Sequence, residues 1–504
     1  MSDTAQPTRF VVVGGGSAGW MAAAALARHT GGRGDITLVE SDAIGTVGVG
    51  EATIPPIREF NASLGIKEAE FVARTAGSFK LGIQFRDWGR LGERYFHPFG
   101  TYGVDFDPVP VHQHFLAAHR AGEAAPLDDY CMAWAMAQKG RFSPPSADRR
   151  TVQSTFDYAY HFDTGLYAAF LRDYAEKTGV RRVEGRVVDV AQDARSGYVT
   201  GVALESGQRI EGDVFLDCSG FRGLLIGGAM DVPYHDWKRW LPVDRAVAVG
   251  CEGSSEPIPY TIATAREAGW QWRIPLQHRT GNGYVYCSDH LDADRAEATL
   301  LANLDGAPLG RPKHLRFTTG RRDRFWTKNV VAIGLSAGFM EPLESTSLHL
   351  IQTAIRRFVA LLPNADCDPA LADEFNRITV AEYESIRDFL ILHYCATKRD
   401  DAPLWNHVRT MELPDTLTVK MEHYRRDGRL VSDGIELFAN PSWIAVYHGQ
   451  GVVPERPDPL LAIRGLASGR ANLEHLREVM AKTADTLPTH GAFLARHAPY
   501  QAAA

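Results

Sequence analysis

Two hydrophobic periods recur along the 504-residue chain and predict its helices and strands. Short apolar runs at 10–13 and 36–39 are typical of buried strands. Leu166, Phe170 and Tyr174 recur at every fourth position and predict the buried stripe of a helix. The same reasoning predicts helices over 20–28, 111–121, 165–178, 292–303, 346–362 and 378–396, and strands over 182–190, 198–204, 214–217, 270–276 and 283–288.

A glycine-rich turn connects the first predicted strand to the first predicted helix. Gly14, Gly16 and Gly19 match the pattern G-x-G-x-x-G, and Glu40 ends the second strand about 20 residues later. Such glycines let the backbone approach a pyrophosphate, while the acid binds a ribose hydroxyl. The residues predicted to bind a dinucleotide are Gly14, Gly16, Ser17, Ala18, Gly19 and Glu40. The alternative is a glycine-rich turn in another kind of doubly wound sheet.

Two later segments favour FAD over NAD as the dinucleotide. Residues 212–225 and 329–355 each combine a strand with a glycine-containing turn, and the second continues into a long amphipathic helix. A late strand that returns to the cofactor in this way resembles the second flavin contact of glutathione-reductase-type flavoproteins. This resemblance predicts that Gly334 and Leu335 contact the cofactor. Taken singly, either segment also fits an ordinary strand–helix unit.

The predicted fold class is mixed α/β, or α+β: a glutathione-reductase-type FAD-binding unit with a C-terminal, mainly helical layer. The FAD-binding unit is expected over 1–362, with substrate-facing interruptions near 81–150 and 225–290. The helical subdomain is expected over 363–504. The aromatic and proline-rich stretch 94–112 is expected to form loops.

Charge and composition exclude several classes of partner. The net charge of −7 argues against nucleic acid and against an anionic membrane surface. Over 311–328, basic residues alternate with apolar residues, a pattern typical of strands whose charged side chains face solvent. The six cysteines form no C-x-x-C pair and no metal-ligand spacing with histidine, so we expect buried thiols, no metal and a cytoplasmic protein. No apolar run reaches about 18 residues, which argues against a transmembrane helix.

Five motifs together carry a family resemblance. They are GVGEATIPP at 48–56, SFKLGIQF at 78–85, CSGFRGLL at 218–225, GWQWRIP at 269–275 and EPLESTS at 341–347. Combined with the nucleotide-binding turn, they resemble the flavin-dependent halogenases of the tryptophan-halogenase family. Each motif alone is unspecific, and the combination is specific.

The resemblance implies a halogenation in which flavin and substrate occupy separate sites. A separate NAD(P)H-dependent flavin reductase supplies FADH2, and oxygen then oxidises chloride or bromide to hypohalous acid. This acid travels through a tunnel to Lys80, which holds it by a hydrogen bond or as a haloamine for attack by a small, electron-rich aromatic. The resemblance also implies catalysis by Glu344, halide binding at Thr346 and Ser347, and FAD contacts at Ala52 and Thr53.

The two residues assigned to catalysis suit this chemistry. Lysines are ordinarily solvated, but Lys80 has apolar neighbours, and burial lowers the pKa of an amine that must react with hypohalous acid or protonate it. Glu344 precedes a predicted helix, where an acid is ordinarily favoured by the helix dipole. In the reaction it would orient the halogenating species or accept the proton that leaves the ring. We expect its carboxylate to point toward Lys80 and away from the halide.

Aromatic residues are expected to separate the flavin from the substrate. Trp270 and Trp272 lie two positions apart, so in a strand their rings face the same side. The resemblance assigns both tryptophans, with Pro275 at the end of their motif, to a barrier between flavin and substrate. Core packing is the alternative role for these residues, and it is compatible with the barrier. His97 and Phe99 match positions of the family's aromatic pocket and are assigned to the substrate wall.

The expected substrate is indole or another electron-rich aromatic without the charged groups of an amino acid. Family members that act on free tryptophan carry paired tyrosines and an acid in a C-terminal stretch, and residues 438–461 contain no such pair. A carrier-bound or larger substrate stays open. So do two other functions, an aromatic monooxygenase and a catalytically inactive FAD-binding relative. We expect a monomer or a homodimer.

Overall fold

A computed structural model describes residues 8–44, 51–432, 434–464 and 467–500. The strands are β1 Arg9–Val13, β2 Asp35–Glu40, β3 Glu51–Ala52, β4 Ser78–Lys80, β5 Gly82–Arg86, β6 Arg94–Pro98, β7 Ala159–Phe162, β8 Arg181–Glu184, β9 Val187–Gln192, β10 Val199–Leu204, β11 Arg209–Glu211, β12 Val214–Asp217, β13 Tyr234–Asp236, β14 Arg245–Cys251, β15 Thr261–Arg266, β16 Gly269–Pro275, β17 Thr280–Tyr286, β18 Lys313–Arg316, β19 Gly320–Arg322, β20 Trp326–Thr327, β21 Val330–Ala332 and β22 Gly338–Phe339. The helices are α1 Ser17–His29, α2 Pro56–Ser63, α3 Glu68–Arg74, α4 Val111–Arg120, α5 Met132–Ala137, α6 Thr164–Lys177, α7 Ala293–Ala302, α8 Ser347–Ala360, α9 Pro369–Cys395, α10 Pro403–Thr410, α11 Asp415–Asp427, α12 Asn440–Gly449, α13 Pro459–Arg464, α14 Ala467–Asp485 and α15 His490–His497.

A mostly parallel sheet forms the first layer, in the order β20-β21-β12-β1-β2-β8. Phe10 of β1 lies opposite Val214 of β12 on one side and Ile36 of β2 on the other. Both β1 and β12 are buried, as strands covered on both faces must be. The carboxyl ends of β1, β12 and β21 therefore meet at one edge of the sheet, where open α/β folds bind ligands.

Helix α1 covers this sheet and packs against α6 and α8. Its residues from Gly19 to Ala27 are buried, and most of them are alanines. Small side chains let a helix approach its neighbours closely, and alanine is the residue with the highest helix propensity. The segment that follows the glycine-rich turn is therefore well suited to a helix held tightly against the sheet.

A second sheet runs in the order β18-β14-β17-β16-β15-β5-β6. It is antiparallel except between β5 and β15. A three-stranded sheet, β3-β7-β4, adjoins it because Leu81 alone separates β4 from β5. In the pairing of β5 with β6, Gly82 lies opposite Pro98, and the backbone N–H of Phe99 donates to the Leu81 carbonyl. This register brings Lys80 and the end of β6 close together.

The predicted helical C-terminal region is confirmed. Helix α9 has 27 residues, and its last turns, from Ile386 to Cys395, are buried. It packs against α10, α11 and α12, and α12 also packs on β6. The helical layer therefore covers the same end of the antiparallel sheet that carries His97.

One predicted strand is wrong in extent. The single strand predicted over 182–190 is two strands, β8 and β9, which belong to different sheets. The chain changes direction at Gly185, whose backbone N–H donates to the carbonyl of Glu40. A glycine between two apolar runs indicates a break between two strands, and the prediction of one strand did not take it into account.

Two other elements differ from the sequence prediction. The helix predicted over 378–396 begins earlier, at Pro369, because the side chain of Asp368 accepts the N–H of Ala370 and proline suits the first turn. The stretch 94–112, expected to form loops, contains β6, whose pairing with β5 is a tertiary contact. All six cysteines are buried and free of disulfides, as predicted. None of the helices in the described ranges has the length and apolarity to cross a bilayer.

Candidate active site

The glycine-rich turn lies at the carboxyl edge of the parallel sheet. Gly14 has φ +117°, and a Cβ there would lie 2.2 Å from the carbonyl oxygen of Cys218, so a side chain is excluded. A Cβ on Gly16, by contrast, would meet no atom within 4 Å, and α1 begins at the next residue, Ser17. Open space therefore lies before the helix N-terminus, which suits a pyrophosphate.

The second predicted flavin segment meets the first. A Cβ on Gly334, which has φ +78°, would lie 2.9 Å from the Cβ of Ala18 in α1, and Leu335 follows in the same short turn. Glu40 ends β2 with its carboxylate beside the backbone of Gly15 and paired with Arg182. An open helix N-terminus, glycines without room for side chains and an acid at the end of the second strand together fit a dinucleotide. Residues 48–50 of the GVGEATIPP motif lie outside the described residues.

Lys80 is at the end of β4 and is fully buried. Its Nζ donates hydrogen bonds to the carbonyl of Thr53 and to Oγ of Ser345, both at 2.9 Å. It also lies 5.0 Å from the centre of the Phe99 ring. Burial lowers the pKa of Lys80 to about 7, although the charge of Glu344 acts in the opposite direction. Thr53, predicted as a flavin contact, is thus also a partner of the lysine, while Ala52 precedes it in β3.

A buried polar chain fixes the strand that carries the lysine. Ser78 Oγ donates to the carbonyl of Pro275 at 2.6 Å and lies 3.0 Å from His161 Nδ1. The backbone N–H of Phe79 donates to Nε2 of His490, from the C-terminal helix α15, at 3.0 Å. Pro275, predicted as part of the barrier, therefore anchors β4. Neither histidine was expected from the sequence, because their contacts join segments far apart in the chain.

The Glu344 carboxylate is held by two histidines. Its expected orientation toward Lys80 stays a prediction: the charge of Glu344 acts on the lysine, but no hydrogen bond joins the two groups among the described contacts. His97 Nδ1 lies 2.9 Å from each carboxylate oxygen. His393 Nε2 lies 2.7 Å from Oε1, within ion-pair distance although not aligned for a hydrogen bond. Burial by itself would raise the pKa of Glu344, but the two histidines outweigh it and lower that pKa to about 2.

Nothing in the local sequence identifies His393 as a site residue, and it was not predicted. It lies on the buried face of α9, four residues after Phe389, so the sequence pattern predicts a histidine that packs in the core. Its Nδ1 is 2.9 Å from the carbonyl oxygen of Phe389, so the helix backbone fixes the orientation of the ring. Only the packing of α9 against the turn before α8 reveals its contact with Glu344.

The EPLESTS segment forms a tight turn before α8. Ser345 has φ +59°, a left-handed conformation that few residues other than glycine adopt. The buried hydroxyl of Thr346 has no hydrogen-bond partner among the described residues, and α8 begins at Ser347. An unpaired hydroxyl beside a helix N-terminus fits an anion such as a halide.

The two tryptophans of β16 are both buried, and their ring centres are 6.1 Å apart. Trp270 Nε1 donates to the carboxyl of Glu341, which also accepts a 2.8 Å hydrogen bond from the Tyr394 hydroxyl. Burial raises the pKa of Glu341 to about 7. Trp272 lies over Gly283 of β17, where a Cβ would be 2.1 Å from the indole. The strand is thereby tied to the EPLESTS turn.

An open, apolar pocket of about 270 Å³ lies at the end of β6. The described residues that line it are Ile54, Pro55, Pro56, His97, Pro98, Phe99, Gly100, Asp157, Leu437, Phe438, Ala439, Pro441 and Ser442. His97 and Phe99 were singled out by sequence, whereas the segment around Phe438 was not assigned to a wall. Among these described residues, none comes from the strand of the two tryptophans. The one carboxylate in this lining, Asp157, is paired with Arg58.

Comparisons with known proteins agree with this arrangement. The family model described as tryptophan halogenase matches residues 9–465. The chain is 36% identical to the tryptophan 6-halogenase of Streptomyces toxytricini, over 98% of this chain and 99% of that protein. It is 36% identical to the tryptophan 7-halogenase of Lentzea aerocolonigenes, over 90% and 91% of the two chains. A solved flavin-dependent halogenase of Xanthomonas campestris superimposes with a TM-score of 0.95 at 47% identity, over 99% of this chain and 100% of that one.

Proposed function

The chain belongs to the tryptophan halogenase family and is a flavin-dependent halogenase, an oxidoreductase, and we propose that it halogenates an uncharged, electron-rich aromatic such as indole. The halogen would be delivered as hypohalous acid held at Lys80. The family supports the general reaction, and the site described above supports these finer assignments.

The fit of the cofactor site supports FAD as the resident group. When bound, reduced FAD supplies the chemistry by which oxygen oxidises a halide to hypohalous acid. The open N-terminus of α1 behind Gly16 would face the pyrophosphate, Glu40 would bind a ribose hydroxyl, and Gly334 would let the second loop approach the flavin. A separate flavin reductase, as used in this family, would deliver the reduced cofactor.

The burial of the Lys80 amine is the observation that carries this proposal. Its Nζ is shielded from solvent beneath Phe99, which lines the apolar pocket. Because burial lowers the pKa of Lys80 to about 7, both the ammonium and the free amine are populated at neutral pH. The ammonium can donate a hydrogen bond to hypohalous acid, and the amine can react with it. Either form would hold the oxidant beneath Phe99, behind the wall of the pocket.

The turn before α8 supports a halide near Thr346 and Ser347. The unpaired Thr346 hydroxyl and the helix N-terminus would favour chloride or bromide. The negative charge of Glu344 would otherwise repel an anion, but His97 and His393 lie against it. The N–H group that neutral His97 directs at the carboxylate reduces this repulsion without a charged imidazole.

The charge of the pocket supports a substrate without amino and carboxylate groups. A zwitterion needs a cation for its carboxylate and an anion for its ammonium group. Of the described lining residues, Asp157 carries the one carboxylate, and Arg58 already neutralises it. Burial of a flat, uncharged ring against Phe99 and Phe438 needs no such partners.

A product analysis tests this function. Purified protein, FAD, a flavin reductase, NADH and indole would be incubated with bromide or with chloride, and the products analysed by mass spectrometry. We expect halogenated indole with the isotope pattern of the supplied halide. Lys80→Met should lower the rate by a factor on the order of 100 to 10,000 while FAD stays bound. The matched control Lys482→Met, at a side chain that is 77% exposed, should react as the wild type does.

Two other outcomes would identify the alternative functions. Hydroxylated indole in place of halogenated indole, with or without bromide, would make the protein an aromatic monooxygenase. Rapid oxidation of reduced FAD with no product from any aromatic compound would make it an inactive relative. Wild-type halogenation rates in Lys80→Met would refute the assigned role of the lysine.

A further inference from the structure

His97 lies between the Glu344 carboxylate and the aromatic pocket. Its Nδ1 contacts both carboxylate oxygens at 2.9 Å, and its side chain lines the pocket beside Phe99 and Phe438. The rings of Phe389 and Phe438, centred 5.8 Å and 6.1 Å away, pack around the imidazole and fix its position. The imidazole therefore contacts a buried charge and is also part of the pocket wall.

The contact with Glu344 assigns the proton of the neutral ring. A carboxylate only accepts hydrogen bonds, so neutral His97 must carry its proton on Nδ1. The lone pair then lies on Nε2, the ring nitrogen that does not contact Glu344. A carboxylate behind a histidine stabilises the imidazolium that forms when Nε2 takes up a proton.

We propose that His97 Nε2 is the general base that removes the ring proton after halogen transfer, an inference that rests on the proposed function. Glu344 and His393 are then positioning residues: the carboxylate fixes the tautomer of His97, and His393 contacts the same carboxylate. Glu344, like Lys80, is fully buried and outside the described lining of the pocket, whereas His97 belongs to that lining. Both of its oxygens are already in contact with imidazole nitrogens.

The reaction balances without a further reagent. A bromine atom leaves hypobromous acid and forms a C–Br bond with a ring carbon, while the hydroxide takes the ammonium proton of Lys80 and leaves as water. The C–H bond of the cationic ring then breaks, its electron pair restores aromaticity, and the proton moves to His97 Nε2. Solvent at the open mouth of the pocket takes that proton, and the neutral Lys80 amine regains one. The sum converts hypobromous acid and an aromatic C–H into an aryl bromide and water.

A kinetic isotope effect in single-turnover reactions tests this role. Wild-type enzyme with one equivalent of reduced FAD, oxygen and bromide would be given indole or indole deuterated at every ring carbon, and bromoindole would be followed by quenched flow. With a base in place, loss of the proton is fast and both substrates react at one rate. In His97→Gln, whose amide can still donate to Glu344 but cannot take up a proton, we expect a slower reaction in which deuterated indole lags by a factor of about two or more.

The control removes the other histidine from the same carboxylate. His393→Gln loses a contact with Glu344 but no described group of the pocket lining, so any loss of rate should come without an isotope effect. A slower His97→Gln without an isotope effect would overturn the inference and leave His97 a structural residue. If His97→Gln fails to bind FAD, Glu344→Gln replaces it, with an isotope effect again expected and its absence counting against the base. A wild type that halogenates no indole overturns the proposed function and this inference with it, whereas an active wild type isolates the inference.

Discussion

Replacing Lys80 with methionine should lower the halogenation rate by orders of magnitude and yet leave the folded protein more stable at neutral pH. Methionine has nearly the length of lysine and no charge, so it fits the buried site without an ionised group. We therefore expect Lys80, the residue proposed to hold the oxidant, to lower the free energy of unfolding relative to an uncharged side chain of the same size. Active-site residues commonly show this trade-off between stability and activity.

The pKa of Lys80 sets the size of the effect. Burial lowers that pKa from 10.5 to about 7. From this shift, the lysine costs the folded state about 4 kcal/mol at pH 7 and about 2 kcal/mol at pH 9. The variant also loses the hydrogen bonds to Thr53 and Ser345, worth about 1 kcal/mol each. Lys80→Met should therefore be more stable by about 2 kcal/mol at pH 7 and about equal to the wild type at pH 9.

The sign follows from proton binding. Between pH 7 and 10.5 the unfolded chain keeps a proton on Lys80 that the folded protein has lost, so the stability of the wild type rises with pH in this window. All other titrating groups are common to the two proteins and cancel in their difference. Urea unfolding followed by tryptophan fluorescence at pH 7 and pH 9 measures that difference from the midpoints and slopes.

A difference between wild type and variant that does not change from pH 7 to pH 9 would refute the reasoning, because Lys80 would then titrate as a solvated lysine does. A variant less stable than the wild type at pH 7 by about 2 kcal/mol would instead make the lysine a structural residue. Lys482→Met, which alters an exposed side chain, serves as the control and should show the same pH dependence as the wild type.

Three further predictions concern the cofactor, the halide and the tryptophans. Gly14→Ala should lose FAD, since its Cβ would lie 2.2 Å from a carbonyl oxygen; normal flavin absorbance of the purified variant would contradict the proposed cradle. Thr346→Val should raise the KM for bromide with little effect on the KM for indole, and equal KM values for bromide in both proteins would exclude the hydroxyl from halide binding. Replacing Trp270 and Trp272 with alanine should lower halogenation without producing hydroxylated indole, because Glu341 loses a donor and the strand its two largest side chains; unchanged halogenation would count against a barrier.

The sequence by itself determined the features that depend on local rules. The G-x-G-x-x-G turn needs glycine at Gly14 whatever the rest of the fold, so its strand, turn and helix could be predicted from neighbouring residues. The apolar run of β12 and the four-residue spacing in α6 have the same local origin. The identities of Lys80 and Glu344 came from motifs, and motif letters carry no information about the direction of a side chain.

Tertiary structure alone decided how the site is connected. Glu344 meets His97 and His393 because β6, the turn before α8, and α9 converge, and no periodicity in the sequence encodes that convergence. The same holds for β6, which forms because β5 pairs with it, and for His490, which reaches β4 from the far end of the chain. Local sequence patterns determine φ/ψ preferences and the faces that become buried. The partners of buried charges depend instead on packing between distant segments. In the interior that this packing creates, an unpaired charge is most costly.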